Sequence, residues 1–313
     1  MNKDNFLNPL KSRKLFGMDI YFDNLLKLYN SNKFPKVILI SGNKGLGKFT
    51  LVNHFLNYVF STDTYNLEEK IIDKNSDVYQ SQLNGLFYNI IHLNNEENNK
   101  LKIDDIRDLK TTLSQSTINA KHRFIILDDV EKLSINSSNA LLKIIEEPSE
   151  NNYFILIDNQ EGDLIETIAS RCLKIKIFIN KLDKSKINES LIKEKKIEKF
   201  LKYNTDLNLS PGLFLRYNYL CSENEINQSL GYLTKLDKLL NLYKKSKNKI
   251  FLDIAIQFTN EYFYNLSINN KNHIFIFDSI KNKIIRYIND FFMYNLNLNS
   301  VLNLIQSQLN NAK

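Results

Sequence analysis

Tryptophan is absent from this chain, and cysteine and proline are scarce: there are two cysteines, Cys172 and Cys221, and four prolines. Two thiols are too few for a disulfide framework or a four-cysteine zinc site, so zinc is not expected and reduced thiols in the cytoplasm are the simplest reading. No run approaches ~18 consecutive apolar residues, which argues against a membrane span. The polar stretch Met1 to Lys14 lacks the apolar centre of a signal peptide. His54, His92, His122 and His273 share no metal-ligand spacing, and no Ser-His-Asp or Cys-His arrangement stands out. What is present is an ordinary globular composition. The 313 residues, 43% hydrophobic and 25% charged, suffice for two or three domains with a sizeable core. A net charge of +7 permits contact with nucleic acid or an acidic partner without demanding either, because the lysines are scattered over solvated faces.

The first 180 or so residues alternate apolar runs with amphipathic stretches, the signature of a parallel sheet covered by helices. Strand candidates are Val37–Ile40, Asn89–Leu93, Arg123–Leu127 and Tyr153–Ile157. Leu173–Ile177 alternates apolar with polar and reads as an edge strand. Ile103, Ile106, Leu109 and Leu113 keep helical spacing, as do Ala140, Leu141, Ile144 and Ile145 before the stop at Pro148. Ser61 to Gln82 is polar and aperiodic and reads as an irregular surface insertion. Beyond about Lys181 helical periodicity takes over. One stripe is Leu233, Leu236, Leu240 and Tyr243; another is Ile280, Ile284, Tyr287, Ile288 and Phe291, and both read as ordinary core. The turn residues Asn208 to Gly212 mark a break inside this helical part.

The most informative segment is Gly42-Asn43-Lys44-Gly45-Leu46-Gly47-Lys48, which follows the Val37–Ile40 run and precedes a helix with Leu51, Phe55 and Val59 on one face. Strand, glycine loop and helix is the context that makes a GxxxxGK pattern credible. Gly42, Gly45 and Gly47 let backbone N–H groups turn toward phosphate oxygens, and Lys48 adds positive charge at the outer phosphates. The residue after the lysine normally offers a hydroxyl to Mg²⁺; here it is Phe49, which has none. Thr50 follows, about 100° further round the helix, and is a poor substitute. Asp128, at the end of an apolar strand, suits the opposite side of a nucleotide-Mg²⁺ site, and Asp129 stands where many ATPases orient water with a longer glutamate. The alternative is that Asp128 and Asp129 simply cap the next helix. Ser170-Arg171-Cys172 is unremarkable alone; within the whole pattern, Arg171 suits a finger that reaches a neighbouring subunit's phosphate. Glu146 and Glu147 oppose the dipole at a helix end, and no partner for them is evident along the chain.

In this order the elements resemble the clamp-loader branch of the AAA+ ATPases, in particular its delta-prime family of bacterial DNA polymerase III subunits. The likeness rests on Leu15-Phe16-Gly17, the Phe34 to Ile40 run, the Gly42–Lys48 loop, the Asp104 to Leu113 helix, Asp128 to Leu133, Asn139-Ala140-Leu141-Leu142-Lys143, Glu146-Glu147-Pro148, Ser170-Arg171-Cys172 and Ser210-Pro211-Gly212. It is good from residue 15 to 215 and architectural beyond. It implies an α/β P-loop parallel-sheet core over residues 1–178, a small helical lid over 179–222 and a C-terminal helical collar over 223–313. It further implies a hetero-oligomer with motor and delta subunits that loads a sliding clamp onto primer-template DNA, with Arg171 serving a neighbour's ATP. Asn159 falls near the family's first sensor, while Leu213 sits near where active members place a sensor arginine. The family's four-cysteine zinc module is missing. Phe49 and Leu213 fit a stator with weak or absent ATP hydrolysis, for which ATP is the one cofactor to expect, in a cradle with an impaired Mg²⁺ site. Lys48 and Asp128 keep an ATP-hydrolysing motor subunit of gamma/tau type as the alternative. A nucleotide kinase is disfavoured by a helical C-terminal third without an acceptor site, and a DNA-binding regulator by the lack of a basic recognition helix.

Overall fold

The computed structural model describes residues 7–94, 101–114, 122–201 and 209–310. Asn208, at the start of the expected break, lies outside them. The chain divides into two compact units, Met1–Ile187 with Ser210–Gly212, and Asn188–Leu209 with Leu213–Lys313. No helix among the described residues is long and apolar enough to cross a membrane.

The first unit is built on five parallel strands, β1 (Val37–Ser41), β2 (Ile90–Asn94), β3 (Arg123–Asp128), β4 (Asn152–Asp158) and β5 (Leu173–Lys176). They lie in the order β2-β3-β4-β1-β5. Strands buried on both faces need apolar side chains at successive positions, and β1, β3 and β4 are almost entirely buried. The alternating β5 is an exposed edge strand, paired among the described residues to β1 alone. Register sets Ser41 opposite Asp158, and Asn94 opposite Asp128. The carboxyl ends of β1, β3 and β4 therefore sit side by side, where ligands of open α/β sheets bind.

Around the sheet run α1 (Asp19–Asn30), α2 (Lys48–Phe60), α3 (Asp77–Leu83), α4 (Ile103–Ser114), α5 (Ile135–Ile145) and the short α6 (Glu166–Ala169). Helix α2 is anchored by an aromatic cluster: Phe55 stacks on Phe34 with ring centroids 5.0 Å apart, and meets Phe124 of β3 edge-on at 6.0 Å. Helix α5 starts where Ser134 accepts a hydrogen bond from the Ser137 N–H at 3.1 Å, an N-cap that satisfies a donor without an intrahelical partner.

The segment Ser61 to Gln82 departs from the irregular insertion expected of it. An antiparallel bridge joins Asn66 to Ile71, Lys14 bridges to the same Ile71, and α3 occupies its end. Tyr65, Ile72, Val78 and Tyr79 are buried. Isolated apolar residues spaced along a polar stretch gave no period, so only tertiary packing reveals their purpose.

His54 ties this region together. Its Nε2 lies 3.0 Å from the Ser12 carbonyl, which can only accept, so Nε2 carries the proton and Nδ1 accepts from the Tyr65 hydroxyl at 2.9 Å. Burial lowers its pKa to about 4, despite the opposing pull of the Ser12 hydrogen bond. The unfolded imidazole, titrating near ~6.5, takes up its proton first as pH falls. Stability is therefore complete above that value and declines through the window down to about 4, by about 3 kcal/mol. Urea titrations at pH 7 and 4.5 should show this loss in the native chain and a smaller one in His54→Gln.

In the second unit, α9 (Tyr232–Ser246), α10 (Ile250–Asn269), α11 (Ile274–Met293) and α12 (Leu298–Asn310) pack each on the next, and α12 returns to α9. Two further helices, α7 (Lys181–Lys195) and α8 (Pro211–Glu223), carry chain from both units. The two expected stripes are core: Leu236, Leu240, Tyr243, Ile280, Ile284, Ile288 and Phe291 are buried, while Leu233 and Tyr287 pack against them partly buried.

Candidate functional site

The loop Gly42–Lys48 leaves the carboxyl end of β1 and opens α2. Two of its glycines are required by geometry. A Cβ on Gly42 would stand 2.8 Å from the Ile177 carbonyl oxygen. Gly47 precedes the helix at φ +92°, a left-handed conformation that side chains resist. Lys48 is 3% exposed, and its ammonium donates to the carbonyls of Gly42 and, at 2.9 Å, Asn43. Burial pulls its pKa down to about 8, against the charges of Asp128, Asp158, Glu131 and Asp129, which pull it back up. The ammonium is held by neutral carbonyls within a ring of acids, and stays mostly protonated at neutral pH. Phe49 turns its ring to His92 of β2, centroids 4.5 Å apart. Thr50 is half-buried in the same helical turn.

Across the strand ends, Asp128 and Asp129 are gathered by one side chain. Asn159, just past β4, donates from Nδ2 to Oδ1 of Asp128 at 3.0 Å and of Asp129 at 2.8 Å. The Asp129 N–H also donates to Asp128 at 2.9 Å. Asp129 is buried with φ +56°; its side chain makes no cap bond to the turn that follows it, and α5 is capped by Ser134. The helix-cap alternative for this acidic pair therefore does not hold. Burial raises the Asp128 pKa, helped by the neighbouring Asp129 charge and opposed by the Asp129 N–H, Asn159 and Lys48.

A second layer of this site was not read from the sequence. Glu131 is 8% exposed and accepts from the Asn159 N–H at 3.2 Å through Oε2. Its other oxygen has no hydrogen-bond partner among the described residues, and burial raises its pKa. Lys132 pairs with Asp129 at 3.3 Å and Glu161 at 2.7 Å, and Lys44 of the glycine loop pairs with Glu161 at 2.8 Å. Asp129, Glu131 and Glu161 bring carboxylate oxygens within 4.8 Å of one another. Two ammonium groups already offset these three charges. The i, i+3 spacing of Asp129 and Lys132 was a readable hint; Glu161 had none, because its partners lie elsewhere in the chain.

Tested for fit, the cluster suits a phosphate chain better than its metal. The glycine turns and the buried Lys48 are the parts of a phosphate cradle. The residue that follows Lys48, where a metal-ligand hydroxyl is expected, is Phe49, whose side chain carries no oxygen. Arg171 has partners of its own. It follows α6, is 37% exposed, donates from Nη1 to the Thr167 carbonyl at 2.9 Å, and pairs through Nη2 with Glu146 at 2.7 Å. Among the described residues these partners include no member of the Lys48–Asn159 cluster. Leu213 belongs to the second unit, partly buried against its core.

Residues 18–181 match the family described as DNA polymerase III, delta subunit. The chain is similar to DNA polymerase III subunit delta' of Buchnera aphidicola subsp. Schizaphis graminum, 26% identical over 225 residues, covering 71% of this chain and 67% of that protein. It is also similar to subunit gamma of Buchnera aphidicola subsp. Acyrthosiphon pisum, 32% identical over 168 residues, covering 53% of this chain. It spans only 41% of that gamma subunit's length. Among solved structures it resembles a gamma-subunit-related protein of Thermotoga maritima at 18% identity and a TM-score of 0.47, covering 91% of this chain and 99% of that one.

Proposed function

The chain belongs to the DNA polymerase III delta-subunit family, and from that premise we propose that it is a delta-prime-type clamp-loader subunit, a stator rather than a motor. It joins motor and delta subunits in a hetero-oligomer that places a sliding clamp on primer-template DNA. Its Arg171 serves ATP held by a neighbour, where a guanidinium offsets charge on the transferring phosphoryl group. Its own loop retains the shape to hold phosphate, and turnover there is weak or absent. The observation that carries this reading is Phe49, packed on His92 where an oxygen ligand belongs. Retention of Lys48 and Asp128, together with the gamma relative, favours the motor alternative, which active turnover by the isolated chain would reveal.

The second unit supports a role in assembly. Ile274, Phe275 and Ile276 open α11 exposed, Phe275 at 91%. Adjacent apolar side chains left in water favour a covering partner. Mixed with the other polymerase III subunits, the chain should elute as one hetero-oligomer, and Phe275→Asp should weaken that association while leaving the far-ultraviolet spectrum unchanged. Failure of the native chain to co-elute with any of them counts against the stator reading.

A further inference from the structure

We propose that Glu146 is the positioning residue for Arg171: its carboxylate holds one edge of the guanidinium so that the remaining N–H groups are presented outward. This rests on the reading of Arg171 as a finger for a neighbour's phosphate, and names what keeps that finger ready.

Glu146, an acid left without a partner at a helix end, and Arg171 lie twenty-five residues apart in the sequence, and the structure joins them. Helix α5 ends at Ile145, so Glu146 and Glu147 follow its last turn, where unpaired carbonyls already carry partial negative charge. A carboxylate is disfavoured there unless it meets a cation, and Glu146 meets Arg171 at 2.7 Å. The same guanidinium is braced from a second element through the Thr167 carbonyl of α6 at 2.9 Å. A guanidinium has five N–H donors in a rigid plane, and one is spent on Thr167, so several remain for another ligand. Both partners are half exposed, 37% for Arg171 and 46% for Glu146. An ion pair so wet is too weak to withhold Arg171 from a triphosphate. It is sufficient to reduce the rotamers from which the finger must be recruited, which is preorganisation rather than a lock.

The test uses the reconstituted assembly and its DNA-stimulated ATP hydrolysis. Glu146→Ala should lower kcat about fivefold, the worth of an exposed ion pair, with KM for ATP held within about twofold. Glu146→Asp, which keeps the negative charge, should restore part of that rate, whereas Glu146→Gln, which loses it, should not. In an Arg171→Ala background Glu146→Ala should add nothing, because the residue acts only through the arginine. Urea denaturation of each variant, expected to match the native chain, separates loss of positioning from loss of fold. Full activity of Glu146→Ala in an assembly that Arg171→Ala cripples overturns this inference and leaves the finger reading standing. So does a further loss from Glu146→Ala when Arg171 is already alanine. If Arg171→Ala itself has no effect, both readings fall.

Discussion

An assembly carrying Arg171→Ala should hydrolyse ATP roughly 10³-fold more slowly at the neighbouring subunit's site, the lower end of what a finger in trans contributes. The physical basis is charge: negative charge spreads over the equatorial oxygens as the phosphoryl group transfers, and a planar cation offers two parallel hydrogen bonds to it. Arg171 is suited to this because, among the described residues, it spends a donor on Thr167 and is otherwise held by the charge of Glu146. Arg171→Lys keeps the charge without the fork and should recover only a small share of the rate. Single-turnover phosphate release with DNA present reads the effect directly. Assembly and ATP binding should survive the change, so an unchanged rate in a fully assembled complex would remove the finger assignment.

Phe124→Ala is expected to cost the first unit about 3–5 kcal/mol, as loss of a fully buried aromatic does. The ring is 0% exposed, stacks on Tyr153 at 5.3 Å, and meets Phe34 at 6.0 Å and Phe60 at 5.8 Å edge-on. These pairs add to the area term. Phe124 belongs to the strand that ends on Asp128, so the same loss loosens the base of the acidic pair. With no tryptophan in the chain, circular dichroism is the natural probe in urea. A fall in midpoint at unchanged slope is expected, and a cost below about 1 kcal/mol would mean the cluster repacks freely.

What could be read from residues alone was whatever a single segment carries. The buried runs of β1, β3 and β4 announce their strands because parallel sheets bury both faces. The loop from Gly42 to Lys48 is legible because its chemistry is local. Legibility ends where partners are distant in sequence. Asn159 holding Asp128 and Asp129, Lys44 reaching Glu161, and Glu146 holding Arg171 are all made by the strand order, which no one segment encodes. Glu146 is instructive: its conflict with the helix dipole was visible, but its resolution lay on another element. Ser61 to Gln82 failed differently, since Tyr65, Ile72, Val78 and Tyr79 follow no period and are buried only by what folds over them.

The most direct test is Mg²⁺-dependent ATP hydrolysis by the purified chain alone, set beside the complete assembly stimulated by DNA. A stator with Phe49 in place of the hydroxyl residue should release phosphate at or near the protein-free blank, far below the rate of the assembly. Steady turnover by the chain alone, abolished by Lys48→Ala, would make it a motor subunit and contradict the reading.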